Sequence, residues 1–256
     1  MSLPTQRLPA GWAGPAADAL AGRVVLVAGA CGGLGAATAR AAARAGATVV
    51  VCGKRKRQLE QLYDAMLAED LPEPVIHPLD LEAATPRDYE ALADGLQRDL
   101  GRLDGIVHAA ASFAGLTPLS MHKPDAWLRT LHVNVSAPFA LTQACLPLLA
   151  AAPDSAVVFV LDDPARVSRA HWGAYGVSKA ALERFAEILH EEHDEGALRV
   201  HALLPAPMRT ALRRMAYFGE DTMQLPVPDA TAAAAVWLLG AQGAAARGAV
   251  LDLRAA

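Results

Sequence analysis

Short, wholly apolar segments alternate along the chain with longer segments whose apolar positions recur at helical spacing. Because nearly every position of the short segments is apolar, we expect strands buried on both faces, as in a parallel sheet covered by helices. The predicted strands are 24–28, 48–52, 75–77, 106–109, 157–161, 198–203 and 249–251. The predicted helices are 36–45, 55–68, 88–100, 127–149, 175–192 and 230–239. This alternation indicates an α/β fold with a doubly wound, seven-stranded parallel sheet between helix layers.

A single domain is predicted to contain all of these elements. The 256 residues suit one core, and the sequence has no linker, repeat or low-complexity block. Residues 1–21 are predicted to form a loosely held N-terminal extension, and residues 22–256 the domain. Within the domain, the stretch 205–228 is predicted to be long and mobile, and Pro138 is expected to bend the helix that contains it.

Composition and charge exclude several classes of function. The net charge of −4 and the pI of about 6.1 give no overall attraction to nucleic acid or anionic lipid, so we expect neither partner. No apolar run reaches the roughly 20 residues that span a bilayer, and the N-terminus lacks a signal-peptide pattern. Three cysteines without CxxC spacing argue against a disulfide framework and fit a reducing cytoplasm.

The first predicted strand runs into a glycine-rich turn at 28–35 and then directly into a helix. Glycines allow close approach of the backbone, and the N–H groups that begin a helix suit a pyrophosphate. The strand before and the helix after favour a dinucleotide site over a tight turn without ligand. The residues predicted to contact this cofactor are Gly29, Cys31, Gly33, Leu34 and Gly35. Cys31 is interpreted as a small residue facing the loop rather than as a redox centre.

The second predicted strand is followed by four cations at 54–57, where an NAD-binding fold usually carries an acidic residue for the ribose 2′-OH. Lysine and arginine suit a 2′-phosphate instead. The sequence therefore favours NADP(H) over NAD(H), with Lys54 and Arg55 as the predicted ligands. Lys56 and Arg57 are interpreted as a solvated patch at the start of a helix.

Tyr175 and Lys179 lie four residues apart in a predicted helix and therefore share one of its faces. The ordinary pKa of a tyrosine is about 10, so proton exchange near neutrality requires a nearby cation. Lys179 and an oxidised nicotinamide would both favour the phenolate form of Tyr175. The pair therefore indicates acid/base chemistry beside a nicotinamide.

These features together resemble the short-chain dehydrogenase/reductase family over about residues 22–253. The resemblance rests on the glycine turn, the Tyr–Lys pair and further matches at Asp80, Asn134, Pro205, Gly248 and Asp252. Three stretches, 103–105, 172–175 and 209–211, look like the YciK-type subgroup of bacterial reductases. The resemblance implies a Rossmann fold and an NADP(H)-dependent oxidoreductase that transfers hydride between nicotinamide and a small carbonyl or alcohol substrate.

The resemblance also implies roles for single residues. Tyr175 acts as the acid/base, while Lys179 binds the nicotinamide ribose and lowers the pKa of the tyrosine. Asn134 holds a water in the proton relay. The other residues placed beside the cofactor are Asp80, which contacts the adenine, and Ala109 and Pro205 at strand ends. The stretch 205–228 closes over the substrate, and pairing along the helices at 127–149 and 175–192 gives a homodimer or homotetramer.

One departure from the family pattern affects the predicted chemistry directly. The family carries a serine thirteen residues before the tyrosine, where it hydrogen-bonds the substrate carbonyl, and this chain has Asp162 there. An ionised carboxylate roughly 4 Å from a phenolate would repel it by up to about 4 kcal/mol at an effective dielectric constant near 20. We expect Asp162 to be protonated, or to pair with Lys179 or Arg166 and turn away, or to mark a protein without catalysis.

Three functions stay open at this point. The first is the oxidoreductase, with Asp162 as an additional catalytic candidate and Ser168 as a replacement hydrogen-bond donor. The alternative is a catalytically impaired scaffold that binds a dinucleotide, and a third is a non-redox reaction with Asp162 as general base. No metal site is predicted, because His190 and His193 are three residues apart and lack a third ligand. His108 is interpreted as a packed, hydrogen-bonded imidazole.

Overall fold

The computed structural model describes residues 3–254, which form one parallel sheet with helices on both sides. The eight strands within these residues are β1 (Thr5–Gln6), β2 (Val24–Ala28), β3 (Thr48–Gly53), β4 (Val75–Pro78), β5 (Gly105–His108), β6 (Ser155–Val160), β7 (Leu198–Leu204) and β8 (Val250–Asp252). The α-helices are α1 (Gly33–Arg44), α2 (Lys56–Ala68), α3 (Pro86–Leu100), α4 (Pro124–Leu131), α5 (Ala137–Ala151), α6 (Pro164–Val167), α7 (Gly173–Glu192), α8 (Ala211–Ala216) and α9 (Asp229–Leu239).

The sheet has the strand order β1-β8-β7-β6-β5-β2-β3-β4, and all of its neighbouring strands are parallel. The chain proceeds outward from β2 in one direction and from β5 in the other, so the topological switch point lies between these two strands. In open α/β sheets, ligands bind in the crevice beyond the carboxyl ends of the strands at this point. The predicted doubly wound α/β fold is confirmed.

The strand count is eight rather than the predicted seven, because the N-terminal extension supplies β1. Thr5 and Gln6 pair with Val250 and Leu251 of β8, and Leu20 is fully buried against the start of the domain. The extension is thus attached to the sheet edge instead of being loosely held as predicted. β1 has only two residues, so the sequence around it shows no pattern of apolar and polar positions that would predict a strand. Residues 1–2 of the predicted extension and 255–256 of the predicted domain lie outside the described residues.

Two apolar cores lie on the two faces of the sheet. α3, α5 and α7 cover one face, and α1, α2 and α9 cover the other. Strand β2 contributes side chains to both cores. Val24, Leu26 and Ala28 point into the first core, and Val25 and Val27 point into the second. Successive side chains of a strand point to opposite faces, so a strand between two helix layers must be apolar throughout.

The long helix predicted at 127–149 contains a deformation next to Pro138. It runs from α4 to α5 through a π-helical turn at His132–Ser136, where the N–H of Ala137 donates to the carbonyl of His132 five residues back. Proline has no N–H to donate, so it cannot satisfy the carbonyl four residues before it in a regular α-helix. The wider turn accommodates that loss and places the buried Asn134 at the turn itself.

The continuous helix Pro124–Ala151 is long and apolar enough, by length and composition, to cross a membrane. The sequence itself predicts no apolar run of that length. Half of its most apolar 18-residue window is buried inside the protein. Its apolar side chains include Leu141, Cys145 and Leu149, which belong to the core beside β6. Packing in the core therefore accounts for the buried half of this helix's apolar residues.

The remaining predicted helices and strands differ from the observed bounds by at most three residues at either end. The stretch 205–228, predicted to be mobile, instead has defined structure. It contains α8 and a 3₁₀ turn at Thr222–Gln224, and it folds back on itself through a hydrogen bond from the Arg209 N–H to the Pro226 carbonyl (2.8 Å). This segment lies beside the carboxyl ends of the strands, where it forms one wall of a cleft.

Candidate active site

A cleft of about 430 Å³ opens at the carboxyl ends of the central strands, at the switch point. It brings together residues that lie far apart in the sequence. The predicted site residues that line it are Gly29, Cys31, Gly33, Leu34, Gly35, Lys54, Arg55, Asp80, Ala109, Asp162, Tyr175, Lys179 and Pro205. Asn134 is absent from this lining and lies buried beneath it.

The glycines of the first turn serve different purposes. Gly29 has a φ of +95°, and a Cβ there would lie 2.4 Å from the Ala110 nitrogen, so only glycine fits. A Cβ on Gly35 would lie 2.2 Å from the Gly29 carbonyl oxygen, so this glycine lets α1 pack onto β2. At Gly33 the nearest atom would be 3.8 Å away, on Thr210. Neither packing nor the backbone angle requires glycine at position 33. Because Gly33 has no side chain, its backbone is exposed to the cleft.

The first turn of α1 has the features of an anion site. Gly32 precedes the helix and supplies no side-chain cap, and no acidic residue lies in the first turn. Gly32, Gly33, Leu34 and Gly35 all line the cleft. The unpaired N–H groups and the positive end of the helix dipole at this position suit a pyrophosphate. The residues present therefore fit the diphosphate of a dinucleotide.

Cys31 packs within the turn rather than standing free in it. Its Sγ lies 3.6 Å from the Arg55 carbonyl oxygen and against the backbone of Gly53, whose added Cβ would come within 2.6 Å of the sulfur. The side chain thus joins the glycine turn to the end of β3. This geometry agrees with the interpretation of Cys31 as a small loop-facing residue.

The cations after β3 divide into two groups. Lys54 and Arg55 line the cleft, whereas Lys56 is exposed on α2 and lies 3.7 Å from Glu60, one turn later. Lys54 Nζ lies 3.6 Å from Glu82, which the sequence did not single out. Glu82 lines the same end of the cleft, so the positive charge at that end is carried most freely by Arg55 and only in part by Lys54.

Asn134 holds two parts of the site together. Its Oδ1 accepts from the Ser112 N–H (2.6 Å), and its Nδ2 donates to the Ser112 carbonyl (3.0 Å) and to Ser178 Oγ (2.9 Å). These contacts connect the loop after β5 to α7, which carries Tyr175. The water relay that the family resemblance implies for Asn134 stays a prediction.

Asp162 takes part in the site instead of turning away from it. Tyr175 Oη donates to Asp162 Oδ2 at 2.8 Å, while the Asp163 N–H (2.7 Å) and the guanidinium of Arg166 donate to Oδ1. The expected pairing with Arg166 is present, but the carboxylate still faces the phenol. The expected pairing with Lys179 is not seen, because Lys179 Nζ donates to the Val160 carbonyl at 2.7 Å.

The groups around Tyr175 raise the pKa of its hydroxyl, and its predicted acidity beside an oxidised nicotinamide stays a prediction. Burial raises the pKa of Tyr175 well above its ordinary value of 10, and the charge and hydrogen bond of Asp162 raise it further, while Arg166 partly opposes this. Burial lowers the pKa of Lys179 to about 8, partly offset by Asp162. Lys179 Nζ lies 5.7 Å from the centre of the Tyr175 ring. Asp162 thus opposes ionisation of Tyr175, as the sequence suggested it could.

Aromatic side chains form the wall next to Tyr175. The ring centres of Phe113 and Trp172 lie 5.2 Å and 5.7 Å from that of Tyr175, and Tyr217 lies 6.1 Å from Trp172. Phe113 was missed by sequence reasoning. The sequence did contain a clue to Phe113. It is an aromatic residue in a loop of otherwise small residues after β5, and aromatic residues make up only 5% of the chain.

Other sequence candidates are placed outside the cleft. Ser168 is exposed at the end of α6 and is not a replacement donor, and His171 is exposed with a φ of +76°. His108 is buried, hydrogen-bonds Thr142 Oγ1 at 2.8 Å, and has its pKa lowered to about 3 by burial, which confirms the packed imidazole. Among residues 3–254, no group of three or more potential metal ligands is clustered.

The match to known proteins extends over most of the chain. The family model for short chain dehydrogenases matches residues 23–219. The chain therefore belongs to the short-chain dehydrogenase family. It is 36% identical over 226 residues to the uncharacterized oxidoreductase YciK of Escherichia coli, covering 88% of this chain and 89% of that protein.

Solved structures agree with this assignment. The oxidoreductase YciK from E. coli has a TM-score of 0.88 at 35% identity, covering 93% of this chain and 97% of that one. A short chain dehydrogenase from Shigella flexneri complexed with NADP has a TM-score of 0.88 at 35% identity, with 92% and 98% covered. One from E. coli CFT073 complexed with NADPH has a TM-score of 0.89 at 36% identity, with 93% and 99% covered. The predicted similarity to the YciK-type subgroup is confirmed.

Proposed function

We propose that this protein is an NADP(H)-dependent oxidoreductase that transfers hydride between nicotinamide and a small carbonyl or alcohol substrate, with Tyr175 in the acid/base group. The observation that carries the proposal is one cleft with an anion site at one end and a buried Tyr175–Asp162–Lys179 group at the other. The relatives complexed with NADP and NADPH, at TM-scores of 0.88 and 0.89, support the choice of cofactor.

The cleft residues can be assigned to parts of the cofactor. The first turn of α1 would hold the diphosphate, Arg55 and Lys54 the 2′-phosphate, and Asp80 the adenine. Lys179, Ala109 and Pro205 line the opposite end, where the nicotinamide and its ribose would lie. When bound, the cofactor supplies or accepts the hydride. The protein contributes binding, orientation and the proton.

The protein's own residues keep that proton in place. Tyr175 is buried and has a raised pKa, so its hydroxyl remains protonated throughout the neutral range. Phe113, Trp172 and Tyr217 form an apolar wall on the side of the cleft that holds Tyr175. A positioned acid/base group typically contributes about 10²–10⁴-fold to the rate.

A catalytically impaired scaffold is the second candidate, and one observation favours it. The hydroxyl of Tyr175 is bound to Asp162 at 2.8 Å, so a substrate must displace that hydrogen bond before it can receive the proton. In the scaffold, the cleft would bind dinucleotide without turning over a substrate.

Replacement of Lys54 and Arg55 by alanine tests the cofactor preference. We expect the double variant to bind NADPH about 10–100-fold more weakly and NADH less than about 3-fold more weakly, because only NADPH carries the 2′-phosphate. Cofactor fluorescence titration measures both affinities. Lys56→Ala is the matched control, since Lys56 is exposed and paired with Glu60, and it should leave both affinities unchanged. Equal weakening of the two cofactors in the double variant would contradict the assignment.

Replacement of Tyr175 by phenylalanine separates the enzyme from the scaffold. We expect Tyr175→Phe to bind NADPH within about 2-fold of the unmodified protein and to lose at least about 100-fold of its turnover, because the hydroxyl that hydrogen-bonds the substrate oxygen is gone. Turnover is measured as oxidation of NADPH or reduction of NADP⁺ over matched panels of ketones, aldehydes and alcohols. Tight NADPH binding without turnover on any panel, unchanged in Tyr175→Phe, would support the scaffold instead.

We also propose that the protein forms a homodimer or homotetramer through an exposed apolar patch on α5 and α7. Phe139, Val177 and Ile188 are each about half exposed, and Phe139 packs edge-on against Phe185 of α7, so the two helices present one surface. Ile188→Glu is expected to sediment as a monomer in analytical ultracentrifugation. Leu67→Glu, a similarly exposed leucine on α2, should sediment like the unmodified protein. Unchanged sedimentation of the Ile188 variant would refute this interface.

A further inference from the structure

The three groups that hydrogen-bond to the Asp162 carboxylate all donate to it. They are Tyr175 Oη on Oδ2, and the Asp163 N–H and the Arg166 guanidinium on Oδ1. An ionised carboxylate only accepts hydrogen bonds, whereas a serine hydroxyl can also donate one. At the position where the family pattern has a serine, this chain therefore offers the reacting group a lone pair instead of a proton.

A substrate oxygen placed between Tyr175 Oη and Asp162 Oδ2 meets one donor and one acceptor. A carbonyl oxygen can accept from Tyr175, but it has no hydrogen for Oδ2 and leaves that buried oxygen unpaired. An alcohol oxygen can accept from Tyr175 and donate its own proton to Oδ2. The pair is therefore complementary to an alcohol and not to a ketone.

We infer that Asp162 and Tyr175 have exchanged the roles expected from the sequence: Asp162 accepts the proton of an alcohol substrate, and Tyr175 stays protonated and hydrogen-bonds the substrate oxygen. The inference rests on the proposed function and deepens it. The alcohol O–H bond breaks as an O–H bond to Asp162 Oδ2 forms, the C–H electron pair leaves as hydride for the oxidised nicotinamide, and the C=O double bond is completed. In the reverse direction, protonated Asp162 returns the proton.

The charged groups around Asp162 are arranged for this role. Arg166 of α6 donates to Oδ1 of Asp162, so Oδ2 of Asp162 remains directed at Tyr175 and the cleft. Lys179 of α7 is engaged with the Val160 carbonyl and does not compete for Oδ2. Arg213 of α8 is held in a two-point ion pair by Glu220 (2.6 Å for both contacts).

The neighbouring carboxylate does not share the role of Asp162. Asp163 Oδ1 accepts from the Arg254 guanidinium at 2.5 Å and from the Ala165 N–H at 3.1 Å, which caps α6. Asp163 does not line the cleft. Oδ2 of Asp162 is therefore the acceptor that a substrate hydroxyl reaches.

The aromatic wall indicates which alcohol to use as a probe. Phe113, Trp172 and Tyr217 present ring faces and edges beside Tyr175, a surface suited to a flat apolar group. The matched probes are 1-tetralol and 1-tetralone, which differ only in carrying an alcohol or a ketone at the same ring position. Both are titrated by calorimetry into the protein alone and into the protein saturated with NADP⁺.

The comparison uses the unmodified protein, Asp162→Ser, Asp162→Asn and the control Glu69→Gln, which alters a carboxylate paired with Arg40 and Arg44 outside the cleft. We expect the unmodified protein and the control to bind the alcohol at least about 10-fold more tightly than the ketone. Asp162→Ser should lose this preference, because its hydroxyl can donate to the ketone. Asp162→Asn, which keeps the shape but not the base, should reduce NADP⁺ with tetralol at least about 100-fold more slowly than the unmodified protein.

Several outcomes would overturn the inference. The unmodified protein would contradict it by preferring the ketone, by binding both probes equally or by binding neither. Asp162→Ser would contradict it by keeping the preference for the alcohol. A rate of alcohol oxidation that climbs steadily with pH in the unmodified protein would also overturn it, since this marks Tyr175 as the base. Failure of the proposed function is distinguished by a different result, namely that the protein does not bind NADPH, or binds it without turning over any ketone, aldehyde or alcohol of the panels.

Discussion

A buried carboxylate held between a phenol and a guanidinium determines the chemistry of this cleft. Asp162 is only 8% exposed, and it is stabilised because each of its oxygens accepts a hydrogen bond, from Tyr175 on one side and Arg166 on the other. Burial raises the pKa of Tyr175 and Asp162 raises it further, while Arg166 partly opposes this. The contact with Arg166 also ties α6 to the site. Loss of the Tyr175 hydroxyl would leave the buried Oδ2 unpaired, whereas Oδ1 would keep the Asp163 N–H if Arg166 were lost.

The fold supplies the rest of the site through close backbone approach. The contact between Gly35 and the Gly29 carbonyl brings the start of α1 to the end of β2, so the helix terminus faces the switch point of the sheet. The π turn around Asn134 compensates for Pro138 and lets one amide join the loop after β5 to α7. Anion site and phenol are therefore fixed at opposite ends of one cleft by a rigid scaffold.

The features that sequence predicts well here are those with a short-range physical cause. The wholly apolar runs such as Val24–Ala28 identify the strands because burial on both faces requires them, and the glycine turn and the spacing of Tyr175 and Lys179 follow from local geometry. The strand Thr5–Gln6 could not be predicted, because two residues carry no pattern and their partner lies at Val250, far along the chain. Two features depend on tertiary packing: the orientation of the Asp162 carboxylate toward Tyr175 and the position of Phe113 beside Tyr175. The spacing of residues along the sequence carries no information about either.

The central claim is that burial, together with Asp162, keeps the hydroxyl of Tyr175 protonated, and the ionisation of that hydroxyl measures it directly. The chain has four tyrosines, so the ¹³C NMR signal of the Tyr175 ring carbon bearing oxygen can be assigned by comparison with Tyr175→Phe and followed with pH in the cofactor-free protein. The account predicts no ionisation of Tyr175 up to its ordinary pKa of 10, and a lower pKa in Asp162→Ser. Ionisation of Tyr175 near neutral pH in the unmodified protein would contradict it.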